Sequence, residues 1–421
     1  MKLHIQFNVL FLCKLALFLS NFLILYILSN FYAANVAGEF YYQISILSII
    51  AMFSNIGIDN SIFYFLKKGV FTTSNILAIS FKIVFFFVLL ATAAWVSFYL
   101  FSDNRYPIIF SLLFICSLLL QYIFNAHFLA IKKGWIPQIG LTVINIIFIT
   151  WLLLNQLPLK NKYGELLNIY YSLFFLTSFV VLLYIFFTTP KYRIEQPSKD
   201  KLRLLLKFGL FPYITNSLFF LGANIDLIVV KKYCEGDLSA YVQATKIFQI
   251  FCSVFYLLYY PFMGQIIEAN HKEGVKILMR SSRIISFILV LIIIPFLLIC
   301  SLFLDKIFPS SYDQVMMLLK YLGISFFSTS LAYFYTSYFV ANKMHKQNII
   351  SASVFLITIV FLSFLLIPAL GIKGGAIAYS ISILCSLIFD IILFKIKNNV
   401  KFSDTLLIKK EDMLFIKNYF N

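Results

Sequence analysis

Asp226 and Lys246 are the residues from which a reading of this chain starts. They lie inside two long apolar segments, within the stretch Phe208–Glu268, that are joined by a short polar turn at Lys231–Asp237. An ionisable side chain in hydrocarbon costs several kcal/mol unless it faces a cavity or a partner. Helix arithmetic from the turn places Asp226 ~8 Å deep and Lys246 ~12 Å deep, so the two are expected to meet across antiparallel helices. Two chemistries fit such a pair, a polar pathway through a bundle or an ion pair that locks two helices. Further basic groups within apolar segments are Lys14, Lys82 and Lys320, and Arg280 and Arg283 begin another segment. Such point charges and donors suit a phosphate or pyrophosphate. Asn21, Asn55, Asn60, Gln121, Asn125, Asn145, Asn216 and Asn224 offer hydrogen bonds to a sugar. Each has a plainer reading. Buried amides bond neighbouring helices at ~0.6 kcal/mol on average, Lys14 and Lys82 can snorkel to a membrane face, and the two arginines can anchor at headgroups. Asp59 can pair with a nearby cytoplasmic lysine, and His127 can serve as a helix–helix contact or a proton carrier.

The elements that must carry these groups follow from composition. Hydrophobic residues make up 62% of the 421 and charged residues 12%, against about 25% charged in a soluble domain. Apolar runs near 8–30, 40–66, 75–101, 107–131, 135–156, 166–189, 204–230, 238–267, 281–304, 312–341, 347–368 and 374–395 match the bilayer's thickness. The fold class is therefore an all-α polytopic membrane protein with about twelve transmembrane helices. Barrel strands would be far shorter. The first run is too long for a signal core and Lys14 interrupts it, so it is expected to be a retained helix. Six scattered cysteines without ligand spacing read as inert, and no metal or other cofactor is expected.

Lysine and arginine favour cytoplasmic loops. With the N-terminus inside, 23 of the 34 fall on the cytoplasmic side and 7 outside, which predicts both termini cytoplasmic. Basic inner loops are drawn to anionic membrane lipids, so the net charge of +17 needs no nucleic acid. The basic connector Thr188–Lys207 has six segments on each side, which suggests duplication. Tyr41 and Gln43 open helix two as Tyr241 and Gln243 open helix eight, and FLAIKK at Phe128–Lys133 ends helix four as FVANKM at Phe339–Met344 ends helix ten. The expected domains are an N-terminal lobe (1–190), a basic linker (191–203), a C-terminal lobe (204–396) and a basic cytoplasmic tail (397–421).

Ala33–Lys68, the stretch FGLFPYITNSLFFLGANIDLIVV, the exit from helix ten through Phe339–Ser382 and the six-plus-six count together give a pattern. It resembles the polysaccharide and O-antigen exporters of the MATE-like superfamily, the Wzx-type lipid-linked oligosaccharide flippases. The resemblance implies two six-helix lobes in a V around a cationic cavity. It also implies a substrate, undecaprenyl-pyrophosphate-linked oligosaccharide, turned from the cytoplasmic to the outer leaflet of a bacterial inner membrane. Lys14, Asp59, Lys82, Asp226, Lys246, Arg280, Arg283 and Lys320 are then the transport-site candidates, and the polysaccharide polymerase machinery is a further partner. Gly209-Leu-Phe-Pro212 departs from the usual Gly-x-Pro-like start.

Two rival classes stand against this reading. An enzyme would need a catalytic constellation, and Asp103, Glu165, Glu235, Asp237, Asp305 and Asp313 form none. A MATE-like drug or cation antiporter would favour acidic groups, whereas the groups within these helices lean basic.

Overall fold

The computed structural model describes residues 3–55, 57–71, 86, 88–90, 92–93, 95–96, 108–155, 163–188, 199–256, 258–309, 314–401 and 403–412. Among them there are helices and no strands. Among the described residues ten helices are long and apolar enough to cross a membrane. A backbone in lipid has no water to bond, so each span must satisfy its own amides, and a helix does this within one segment. The third expected segment (75–101) and Lys82 fall almost wholly outside the described residues.

The chain divides into two compact units, Met1–Phe220 and Leu221–Asn421. The first contains α1 (Leu3–Phe31), α2 (Ala34–Ser54), α3 (Ile58–Lys67), α4 (Ile108–Ala130), α5 (Trp135–Leu154) and α6 (Tyr163–Thr188). A long helix, α7 (Lys199–Tyr233), begins in the first unit and ends in the second, and Pro212 lies inside it. Much of the expected linker, 191–198, lies outside the described residues. The second unit continues with a 3-10 turn at Glu235–Asp237, α8 (Leu238–Tyr256), α9 (Tyr259–Glu268), α10 (His271–Ile307), α11 (Gln314–Ala341), α12 (His345–Leu370), α13 (Ile372–Asn398) and the short α14 (Ser403–Leu406).

In the first unit α3, α2 and α6 pack on α4, and α1 packs on α5. In the second, α8, α9, α10 and α13 pack on α11, and α12 packs on α13. The central helix α11 buries Ser325, Ser328, Thr329, Ser330 and Ser337 beside its apolar residues. Small residues at helix contacts let backbones approach where no hydrophobic force acts between helices. Ile357, Phe361, Phe364 and Leu365 of α12 are exposed instead, a face suited to lipid.

Three features repeat between the units. The expected second helix is broken into α2 and α3 around Gly57, and the expected eighth is broken into α8 and α9 at Leu258. Each central helix ends in the same left-handed turn. Lys132 has φ 62° and Lys343 φ 57°, Lys133 N–H donates to Phe128 O, and Met344 N–H donates to Phe339 O, both at 2.7 Å. This is the 6→1 bond of a Schellman cap, made here without the usual glycine. Finally, Gln138 of α5 donates to Asn125 of α4 (3.0 Å), and at the matching place Asn348 of α12 donates to Thr336 O of α11 (3.3 Å). The duplicated motifs in the sequence thus correspond to duplicated backbone geometry.

Candidate functional site

Asp226 is 2% exposed near the end of α7. Its Oδ1 accepts the Leu227 N–H at 2.8 Å, and its Oδ2 accepts the phenol of Tyr241 on α8. Tyr241 is held from behind by α13, where a Cβ added to Gly375 would come within 2.9 Å of its ring. Tyr379 of α13 stacks edge-on against both Phe248 of α8 and Phe355 of α12, with centroids 5.5 and 5.7 Å apart. A charge buried among rings is tolerable because donors supply what water no longer does.

The expected Asp226–Lys246 pair is not what forms. Lys246 Nζ donates to Gln249 Oε1 at 3.2 Å on its own helix. The reason is geometric. Tyr241 lies four residues beyond the turn and Asp226 five before it, so these two are level, whereas Lys246 is more than a turn deeper. Lys246 is also about 140° around α8 from Tyr241. The sequence reading missed Tyr241 as a partner; equal distance from the turn was the signal that identifies it.

Asp59 lies in the first turn of α3, where a helix N-terminus favours a carboxylate. Its Oδ1 accepts from Asn55 Nδ2 at 3.1 Å, so an amide holds it where a cytoplasmic lysine was expected. Gly57 makes this corner possible. Its φ is 66°, and an added Cβ would overlap Gly209 O and lie 2.9 Å from Tyr213 Cβ, both on α7. Tyr213 closes the same corner by donating to Phe53 O at 2.8 Å. Within the spans, Lys14 of α1 and Lys246 are half-buried, and Lys320 of α11 is exposed.

Arg280 and Arg283 have a different setting from the one expected. α10 starts at His271, so both lie in its third or fourth turn, and the C-terminal tail folds onto them. Arg283, 6% exposed, donates through Nε and Nη2 to the two oxygens of Asp412 at 2.6 and 2.7 Å, and through Nη1 to Asp404 O at 2.8 Å. Asp412 is 0% exposed and also accepts the Lys409 N–H at 3.0 Å. The Arg283 guanidinium holds the Asp412 carboxyl below the usual carboxylate range. Arg280 Nε lies 3.9 Å from the same carboxylate. Bidentate pairing of this kind fixes geometry as well as charge. Arg283 is therefore a clasp for the tail, and the sequence could not show it because its partner is 129 residues away. Among the described residues no cluster of three or more His, Cys, Asp or Glu side chains is placed to hold a metal.

No protein-family model matches this chain, and no curated protein sequence matches it. Solved structures do. A MATE transporter solved in complex with MaL6 superposes with a TM-score of 0.70 at 13% identity, covering 94% of this chain and 95% of that one. A MOP-superfamily transporter from Pyrococcus furiosus, described as having a binding pocket of reversed polarity, gives 0.70, 13%, 94% and 95%. The MATE transporter VcmN of Vibrio cholerae, as its D35N mutant, gives 0.68, 11%, 94% and 98%. The chain shares the fold of these transporters over nearly its whole length.

Proposed function

We propose that this multi-pass membrane protein is a flippase. It would move an oligosaccharide linked to a polyprenyl pyrophosphate from the cytoplasmic to the outer leaflet of a bacterial inner membrane, with both termini cytoplasmic. The fold supports transport, and a transporter of this fold from Pyrococcus furiosus described as having a pocket of reversed polarity suggests that the architecture can carry sites of either sign. The observation that carries the reading is the contrast in how the charges are held. Asp226 is buried against Tyr241, and the half-buried Asp59 accepts from Asn55. Lys14 and Lys246, which donates to Gln249, are also half-buried and Lys320 is exposed, so three basic candidates keep accessible surface against one acidic one. An anionic headgroup suits that balance, and a cationic drug does not. Arg283, held by Asp412, drops out as a substrate ligand in this reading. Lys14, Lys82, Lys246 and Lys320 remain the basic candidates, with Arg280 near the clasp. The lipid tail need not leave hydrocarbon, so the protein has only to shield the head, by alternating access.

Deleting the gene tests this. Lipid-linked repeat units should assemble, accumulate on the cytoplasmic face and leave the surface without glycan. Failure of those units to assemble would make the protein an enzyme of synthesis. Normal surface glycan with new drug sensitivity would make it a MATE antiporter.

A further inference from the structure

Asp390 of α13 is a buried carboxyl group that plays no part in the reading above. It is 2% exposed, and its Oδ1 has no hydrogen-bond partner. Two helices pack extensively on α13, and each carries a polar group whose interaction with Asp390 bears on the carboxyl. On α12 this is Ser351, which hydrogen-bonds the carboxyl. On α11 it is Tyr335, whose hydroxyl lies 3.2 Å from Ser282 Oγ of α10. Ser386, one turn earlier on α13, meets Ser351 Oγ at 2.9 Å and also donates to Ser351 O at 3.3 Å. Among the described residues no Lys, Arg or His pairs with Asp390. Arg283, the basic residue of the tail clasp, is spent on Asp412.

We propose that Asp390 is a proton-binding site of the second unit. The hydrogen-bond directions close with one added proton. The acid O–H donates to Ser351 Oγ, Ser351 donates to Ser386 Oγ, and Ser386 donates to the Ser351 carbonyl. Oδ1 is then a neutral carbonyl oxygen, which tolerates a missing partner far better than a carboxylate oxygen does. Without the proton, a full negative charge would sit between helices with one oxygen bare, a cost that forces neutralisation or movement. Tyr335, Ser282 and Thr405, which also bonds Tyr335, extend the polar file toward the tail. That file is a route for exchange with the aqueous face. Release of the proton would loosen the α11–α12–α13 packing, so the site ties one proton to the shape of the unit, independently of what the protein carries.

The test is infrared difference spectroscopy on the purified full-length chain, comparing wild type with Asp390→Asn across pH, in sodium and in choline buffers. A protonated-carboxyl C=O band should be present at neutral pH, absent from the variant and indifferent to sodium. Superimposable spectra would overturn the proposal, as would a band that appears only when sodium is withdrawn, which would make the site a sodium site. Thermal unfolding gives a second arm. As pH rises the folded state must either keep the proton or ionise a buried group, so the wild type should lose stability relative to Asp390→Asn; parallel curves would contradict this. If Asp390→Asn does not fold, Ser351→Ala keeps the carboxyl and should shift the same band, and an unmoved band would count against the site.

Discussion

The two units build the same helix contact from opposite materials. In the first, Asn145 of α5 donates to Ser20 Oγ and Asn21 Oδ1 of α1, both at 2.9 Å. In the second, the matching place holds Phe355 of α12 against Gly222 of α7, where an added Cβ would come within 2.6 Å of the ring. The helix breaks differ in the same way. Gly57 makes the first with a left-handed backbone pinned against α7, while Leu258 begins the second in ordinary helical geometry, φ −78° and ψ −15°. Duplication conserved the path of the chain and left each joint free to find its own chemistry. The first unit relies on amides and a glycine; the second relies on close ring packing and carries the Asp226–Tyr241 pair, Asp390 and the tail clasp.

The largest effect is expected where one atom decides a backbone. Gly57→Ala places a methyl on Gly209 O and holds alanine at positive φ, which alone costs about 1–2 kcal/mol. The variant should lose most folded, monodisperse protein in detergent, whereas Leu258→Ala in the other unit should not. Equal behaviour of the two would break the comparison.

Next comes the clasp of the second unit. Arg283→Met leaves Asp412 buried without its partner and should destabilise by about 2 kcal/mol, as charge-assisted bonds of this kind do. The sign of its pH dependence follows from the depressed Asp412 carboxyl. The stabilisation is complete above the ordinary aspartate range, near pH ~4, and is lost as pH falls through the lower folded value. Unfolding curves of wild type and Arg283→Met should therefore converge in acid. A gap that persists there would mean that packing, and not the ion pair, holds the tail.

The smallest effect is at the amide joint. Asn145→Leu should cost only about 0.6 kcal/mol, the usual worth of such a bond in a membrane. Gly222→Ala at the equivalent joint should cost more, because Phe355 has to move. The reverse order would show that the first unit depends on its polar contacts more than its packing suggests.

Much of the fold was legible because its signals are local. Apolar length marks the spans, and the FLAIKK and FVANKM segments mark the paired helix ends, although the left-handed cap each one makes was not legible in them. The breaks at Gly57 and Leu258 were hidden because hydropathy runs on through them. Asp226 is legible as a buried acid, but opposite charge points to Lys246 while equal depth about the turn points to Tyr241, and depth decides the partner. Asp390 has one local trace, a lone Asp eighteen residues into α13. The Arg283–Asp412 clasp had no local trace.

The central claim is that the accessible charge within these helices serves an anionic lipid head. The most direct measurement is transbilayer movement of a fluorescent pyrophosphate-linked glycolipid in vesicles containing the purified protein, with Lys246→Met beside it. The account predicts movement above protein-free vesicles and at least a tenfold loss in Lys246→Met, with no uptake of a cationic dye by either. Dye uptake by the wild type with no movement of the glycolipid would contradict it.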